Sequence, residues 1–409
     1  MTDIPVEPIQ LFEYSPKLIP KEQIPDDVGE ILWKNYGRQV NVEFPSPKTN
    51  RKWQITSKGW AGYIPLTPDF AFHLHPKVDI QNLFGMLEYA YNLESFRFIE
   101  GLMDCRSLKE FYESLARILA LRVLDRGRKG YYHAYQLQKG PLPYVRGKLD
   151  IRQNITKPWD INLECHYEEY TSDIEDNQIL AWTLNHILRS GICTEKSLPV
   201  VRQAHRNLRG FTSSIPFYPR DCVGRLYNRL NLDYQSMHAI CKFFLEHNGP
   251  SHQVGDKTIL PFLVNMARLY EKFVAEWLKL HLPSEYSIQS QERIAFGQGQ
   301  KVHFDIDLVL YENANKTARC VMDTKYKVPT RPSSEDLKQI LAYAKIKRCN
   351  EAILIYPESL DEPLNEFIED TWVRSLNFSL DGDLDMAGEK FIQELFDSMG
   401  SPADPNLRQ

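Results

Sequence analysis

The sequence is short of several things, and each shortage removes a class of protein. No uninterrupted apolar run approaches the ~18 residues of a membrane-crossing helix, so no membrane span is expected. The seven cysteines (Cys105, Cys165, Cys193, Cys222, Cys241, Cys320 and Cys349) are odd in number and never spaced as C-x-x-C. That usage argues against a disulfide framework or a zinc knuckle and fits reduced, buried thiols in a cytoplasmic protein. There is no internal repeat and no low-complexity tract. The opening stretch, "MTDIPVEPIQLFEYSPKLIP", has early acids and no long apolar run, so no signal peptide is expected. A phosphate-cradling nucleotide loop is also missing. In "VRGKLD" the Gly-Lys pair is followed by Leu149 where Ser or Thr is needed, and "FGQGQK" has two glycines without a third.

What is present is an ordinary soluble composition, 43% hydrophobic and 25% charged, in 409 residues, enough for two or three domains. The net charge of −5 is unevenly spread. Residues 121–240 carry 17 Lys/Arg against 12 Asp/Glu, and residues 351–409 carry 3 against 14. A basic middle and an acidic end fit a protein that meets nucleic acid with part of its surface, although solvated faces alone produce such imbalances.

The pattern predicts an α+β or α/β multidomain protein. Residues 1–85 read as β-rich, with "RQVNVEF", "KWQITS" and "DFAFHLHPKV" separated by turn residues. His73 and His75 share a strand face there, but without a third ligand nearby they read as ordinary histidines. Residues 86–255 read as mainly helical, including "FYESLARILALRVLDRG" and "DNQILAWTLNHILRSG", the latter with Asp176 as N-cap and Gly191 as C-cap. "YVRGKLDIRQNI" is a β-like interlude, and "HNGPSHQVGDK" reads as a linker. Residues 256–380 then run α-β-β-β-α-β, starting with a helix over "LPFLVNMARLYEKFVAEWLKLHL", and 381–409 form an acidic tail. The strands are expected at about 286–296, 302–311 and 318–327, and the second helix opens at Ser333 or Ser334.

Within those strands the chain spends positions on charge. In "DTKYK", Asp323 and Lys325 are two apart and emerge on one strand face, and Asp307 lies on the polar face of the strand before. If Asp307 pairs near Asp323, two carboxylates and an ammonium meet at one edge of a sheet. Such a pair suits Mg²⁺, which prefers oxygen ligands and keeps several waters, while Lys325 positions or deprotonates an attacking water. The bland alternative is a surface salt bridge on an edge strand. Gln339 and Tyr343 share a helix face at i and i+4, and Glu271 sits between Ala267 and Ala275 in the preceding helix, an apolar place for a carboxylate.

The order Glu271, Asp307, Asp323-x-Lys325, Gln339-xxx-Tyr343 resembles the PD-(D/E)xK nuclease fold with its trailing QxxxY helix. "DTKYK", together with "GYIPLTPDFAFHLHPKVDIQNLFGMLEYA", "VRGKLDIRQNI", "DNQILAWTLNHIL" and "LYEKFV", resembles the McrC family over roughly residues 55–380. One departure is Ile306, standing where the family's motif usually has proline, which leaves Asp305 as a rival to Asp307. The resemblance implies a C-terminal PD-(D/E)xK domain with Asp307 and Asp323 on Mg²⁺, Lys325 catalytic, and Glu271, Gln339 and Tyr343 in support. It implies a DNA endonuclease subunit of a modification-dependent (McrBC-type) restriction system, active in phage defence. Its N-terminal region would dock on a McrB-type AAA+ GTPase hexamer that reads double-stranded DNA carrying modified bases such as 5-methylcytosine. Stimulation of that GTPase, self-association when two complexes meet, and no membrane are implied as well. Rival readings are a non-catalytic adaptor of an AAA+ motor and a stand-alone nuclease. Arg146, Arg152, Arg202, Arg206 and Arg209 are the residues to test for contacts to DNA phosphates, against the alternative of plain solvated surface.

Overall fold

The structure, a computed structural model, describes residues 8–67, 70–91, 107–247, 252–254, 257–259, 261–296, 302–327 and 329–397. They divide into two compact units, one formed by the chain up to 91 and from Leu263 onward, the other by Lys109 to Phe262. The first part of the expected linker "HNGPSHQVGDK", most of "FGQGQK", Cys105 and the last residues of the acidic tail lie outside the described residues.

The first unit opens with β1 (Ile9–Phe12), β2 (Lys17–Ile19), α1 (Asp26–Tyr36), β3 (Val40–Glu43), β4 (Trp53–Ser57), β5 (Trp60–Thr67), β6 (Phe70–His75) and α2 (Ile80–Tyr91). The period-two alternation of "VNVE" and "WQITS" puts Val40, Val42, Trp53 and Ile55 inward, and the antiparallel sheet β2–β4–β3 forms around them. Val28, Leu32 and Tyr36, four apart on α1, close the same core. The helix lies so close that a Cβ on Gly29 would come within 2.2 Å of the Trp53 indole.

The second unit contains α3 (Leu108–Lys129), β7 (Ala134–Leu142), β8 (Lys148–Leu149), α4 (Ile151–Thr156), β9 (Leu163–Thr171), α5 (Glu175–Ser190), α6 (Leu198–Arg209), α7 (Leu232–Glu246), β10 (His252–Val254) and β11 (Lys257–Ile259). Helices dominate, together with a three-stranded sheet β7–β9–β8. The interlude "YVRGKLDIRQNI" is strand only at β8. Asp150 then caps α4 by accepting from Gln153 N. Asp176 is not the N-cap of α5. The helix starts at Glu175 with Ile174 in the N-cap position, and the Asp176 carboxylate lies in its first turn, paired with Arg225 at 3.1 Å. Gly191 does end the helix, at φ +67°. The described part of the expected linker is β10, paired with β11.

The chain then re-enters the first unit through β12 (Phe262–Asn265) and continues α8 (Met266–His281), β13 (Tyr286–Phe296), β14 (Val302–Glu312), β15 (Thr317–Thr324), α9 (Ser334–Lys347), β16 (Glu351–Tyr356), β17 (Asn365–Ile368), β18 (Thr371–Asn377) and α10 (Leu384–Asp397). The helix expected from residue 260 begins at Met266. The "FLVN" segment before it extends the sheet β1–β6–β5–β12, Leu263 enters the N-terminal core, and Asn265 caps α8 by accepting from Arg268 N. The remaining strands form a six-stranded sheet in the order β13–β14–β15–β16–β18–β17. It is antiparallel from β13 to β15, parallel from β15 through β16 to β18, and antiparallel again at β17. β16 is buried at every residue and β15 over Cys320–Asp323, as strands covered on both faces are. α9 packs on β15, β16 and β18, and α10 on β18. The α10 stretch thus belongs to the domain. Gly388 meets Trp277 at a distance no side chain would fit, and Trp277 Nε1 donates to Asp385.

Arg374 on β18 and Glu351 on β16, each with a side chain 4% exposed, are bonded to one another. Arg374 also donates to the Glu394 and Leu395 carbonyls of α10. Removing only the arginine strands a buried carboxylate. Arg374→Met should therefore cost about 3–5 kcal/mol in urea denaturation, and adding Glu351→Leu should restore most of it. Equal stability of the single and double variants would show that Glu351 finds another partner.

Candidate active site

Strand register brings the charged positions together. Leu308 pairs with Met322 across β14 and β15, which sets Asp307 opposite Asp323 at the next step. The two carboxyls are close enough for the charge of Asp307 to raise the pKa of Asp323. Thr324 N donates to Asp307 Oδ2 at 3.1 Å. Beyond the end of β15, Lys325 N is tied to the Ile355 carbonyl at 2.8 Å, so its side chain starts from a fixed point. Its Nζ lies 2.6 Å from Asp323 Oδ2 and 3.1 Å from Gln339 Oε1. Gln339 Nε2 in turn donates to the Tyr343 hydroxyl at 2.8 Å. The rival carboxylate is placed elsewhere. Asp305 is 61% exposed and faces Arg293 across β13 at 3.7 Å.

Several members of the cluster carried no sequence signal as site residues. The β13–β14 ladder keeps its register but is interrupted at one step, where Gln291 stands opposite Asp307 without pairing and sits at φ +54°, a left-handed backbone unusual for a side chain of its size. Its amide donates to Glu271, bringing that α8 carboxylate into the group. Asp336 stands 3.7 Å from Lys325 Nζ and 2.7 Å from Lys327 Nζ, and its carboxylate closes a capping box with Ser333 at the start of α9. Only the cap was legible, in "SSED". On the other face of the motif, the Tyr326 hydroxyl donates at 3.1 Å to Glu13, a carboxylate 1% exposed that also takes Lys77 N at 3.1 Å.

The electrostatics follow from burial. Desolvation first, and then the Asp307 charge, push Asp323 up to about 7 against the pull of Lys325. Desolvation and Glu271 raise Asp307 to about 6. Glu271 is raised by burial, offset by Gln291. Lys325 is raised above its ordinary value: burial works against its charge, but Asp323 outweighs it, followed by Asp336 and Asp307.

No three His, Cys, Asp or Glu side chains among the described residues stand as a ready cage for a metal ion, and this applies also to His73 and His75, whose rings lie 4.1 Å apart. The donor set nevertheless fits a divalent ion. Burial and mutual repulsion make it costly for Asp307 and Asp323 to ionise together, with Glu271 adding a third carboxylate, and an oxygen-loving cation needs only one or two carboxylates beside its waters.

A carboxyl whose folded pKa lies above its unfolded value keeps a proton that the unfolded chain sheds. Stability is then lost as pH rises from about 4 through about 7. In chelator, wild type should lose about 1–3 kcal/mol relative to Asp323→Asn between pH 4 and pH 8, measured as unfolding free energy. Parallel curves for the two proteins would mean that the pair is ionised throughout.

Three comparisons place the chain among known proteins. The family model described as McrBC 5-methylcytosine restriction system component matches residues 55–357, from within β4 to just past β16. No curated protein matches the chain. A chain of the refined half-complex from the tetradecameric assembly of Thermococcus gammatolerans McrB AAA+ hexamers with bound McrC is similar in fold. It has a TM-score of 0.56 and 17% identity over 96% of this chain and 100% of that one. A chain of the cryo-EM structure of the Thermococcus gammatolerans McrBC complex is 18% identical over 68% of this chain and 90% of its own, with a TM-score of 0.43. With the family model matched across most of its length, the chain belongs to the McrBC 5-methylcytosine restriction system component family, on the McrC side that its sequence blocks resemble.

Proposed function

We propose that the chain is the Mg²⁺-dependent DNA endonuclease subunit of a modification-dependent restriction system, with its six-stranded sheet and helices α8 and α9 serving as a PD-(D/E)xK nuclease domain. The observation that carries this reading is the meeting of Asp307, Asp323 and Lys325 at one end of the β14–β15 pair. Asp307 and Asp323 would hold the ion, and Glu271, fixed by Gln291, would orient water around it. When bound, Mg²⁺ polarises the phosphate and lowers the pKa of its water. Lys325, held by Asp323 and Gln339 and with its pKa raised, stays an ammonium at neutral pH. Of the two roles open to it, base or positioner, the second fits: it donates to the attacked phosphate and offsets the charge that develops there. Tyr343 fixes Gln339, and Gln339 fixes the ammonium.

The similar chain belongs to an assembly of McrB AAA+ hexamers with bound McrC. By that likeness this chain would dock on a McrB-type AAA+ GTPase hexamer, stimulate it, receive double-stranded DNA carrying modified bases, and self-associate when two complexes meet. No helix among the described residues is long and apolar enough to cross a membrane.

The test measures plasmid cleavage and GTP turnover side by side, with the partner GTPase present. Cleavage should need Mg²⁺ or Mn²⁺ and fail in Ca²⁺ or chelator. Asp323→Ala and Lys325→Ala should reduce cleavage by several orders of magnitude while leaving GTPase stimulation intact. Cleavage that persists in excess chelator would overturn the metal-dependent reading. Glu271→Gln and Tyr343→Phe should slow cleavage by about ten- to a hundredfold. A folded Glu271→Gln as inactive as Asp323→Ala would make Glu271 a direct ligand.

A further inference from the structure

The second unit holds a cleft of about 150 Å³ lined by Trp182, Arg189, His205, Arg209, Thr212 and Ser213, among others. Arg189 sits in the last turn of α5 and Arg209 in the last turn of α6. A cation at a helix C-terminus is ordinary, since it answers the helix dipole. It is not ordinary for two of them to enter one cleft without a carboxylate to pair with, and neither has an ion-pair partner among the described residues. The charges that act on His205, apart from burial, are those of Arg209 and Arg189, and both lower its pKa, as an uncompensated positive field does. The carboxylate bonded to a lining residue, Asp173, is already occupied by Ser213 N, Ser213 Oγ and Gln178 Nε2.

The positive charge continues along α6. Its sequence, "LPVVRQAHRNLR", has no acid, and its apolar residues Val201, Ala204 and Leu208 are buried. Arg202, Arg206 and Arg209, spaced i, i+4 and i+7, form an exposed row about 10 Å long at 1.5 Å per residue. That length covers about three steps of a DNA strand at roughly 3.4 Å each. A free phosphate ion would need the cleft but not the row. Arg146, by contrast, is committed within its own sheet. It donates to the Glu168 carbonyl at 3.1 Å and lies 4.6 Å from the Tyr167 ring.

We propose that the cleft between α5 and the end of α6 is a phosphodiester-binding site that holds the DNA backbone, with Arg189 and Arg209 as its charge pair and Arg202 and Arg206 continuing the track. This rests on the reading of the chain as a protein that acts on DNA. Contacts of this kind set affinity and register without reading bases, which suits a subunit that leaves target choice to a partner.

The experiment titrates the full-length protein with methylated and unmethylated duplex in EDTA across a range of salt, so no cleavage is needed. Arg189→Ala/Arg209→Ala should weaken binding equally for both duplexes. It should also flatten the dependence of log K on log salt by about 1.8, at about 0.9 for each phosphate no longer neutralised. Arg189→Lys/Arg209→Lys should keep the wild-type slope, and both arginines are exposed, so a thermal melt confirms that the variants fold. An unchanged slope in the alanine variant overturns the proposal. So does a cleft that binds inorganic phosphate, seen as a shift in the His205 ring resonances, while DNA affinity is untouched by the alanines; the ligand is then a free anion. A wild type that binds no DNA overturns this inference but not the nuclease reading, which the cleavage assay with the partner GTPase decides. A wild type that binds through these arginines but never cleaves with Mg²⁺ removes only the nuclease reading.

Discussion

Two carboxylates side by side, Asp323 buried and Asp307 half-buried, are the constraint on which the C-terminal domain turns. Asp323 is 1% exposed, on a strand covered on both faces, and Asp307 lies opposite it. Neither charge is tolerable there alone, and the surroundings are built around that cost. Lys325 is anchored through its backbone to β16 so that its ammonium reaches Asp323, and Gln339 and Asp336 on α9 hold that ammonium in place. Asp336 can do so because its carboxylate also closes the capping box with the N-cap Ser333 at the start of α9, which fixes the helix start and the charge with one side chain. The same sheet solves a similar problem differently at Glu351 and Arg374, where one cation meets one acid and the two charges neutralise each other. At Asp307 and Asp323 one cation faces two acids, with Glu271 close by, and the imbalance is what makes the place chemically useful.

How much of this was legible depended on how local the cause was. The strands that become β13, β14 and β15, the helix stop at Gly191 and the cap at Ser333 follow from alternation and from cap chemistry within a few residues, and they were readable. Asp323 with Lys325, and Gln339 with Tyr343, could each be paired because a strand face and a helix face are set by spacing alone; grouping both pairs with Asp307 was what the resemblance to the PD-(D/E)xK pattern implied. Glu271 was legible only as a carboxylate among alanines, and its bond to Gln291 goes with a left-handed backbone at Gln291 that nothing in "SIQSQER" announces. β12 was read as the start of a helix because "LPFLVN" is apolar enough for either, and only the distant edge of β5 decides it. The sequence also drew a line between an N-terminal region and a C-terminal domain, whereas the compact unit joins them through β12, Leu263 and the Glu13–Tyr326 bond, between residues hundreds of positions apart.

β12 has a further consequence, for the order in which the chain is made. The sheet begun by β1, β5 and β6 is completed by a strand that is not synthesised until everything between His75 and Phe262 has been. On the ribosome the N-terminal region must therefore wait with an edge open, while the second unit, whose described strands and helices lie within one continuous span, has all its parts available first. The first segment to emerge is among the last to be finished. An unpaired β5 edge during that interval is a template for wrong pairing, so slowing synthesis within residues 109–262 should lengthen the exposure of the nascent chain to aggregation and to chaperones without altering the finished fold.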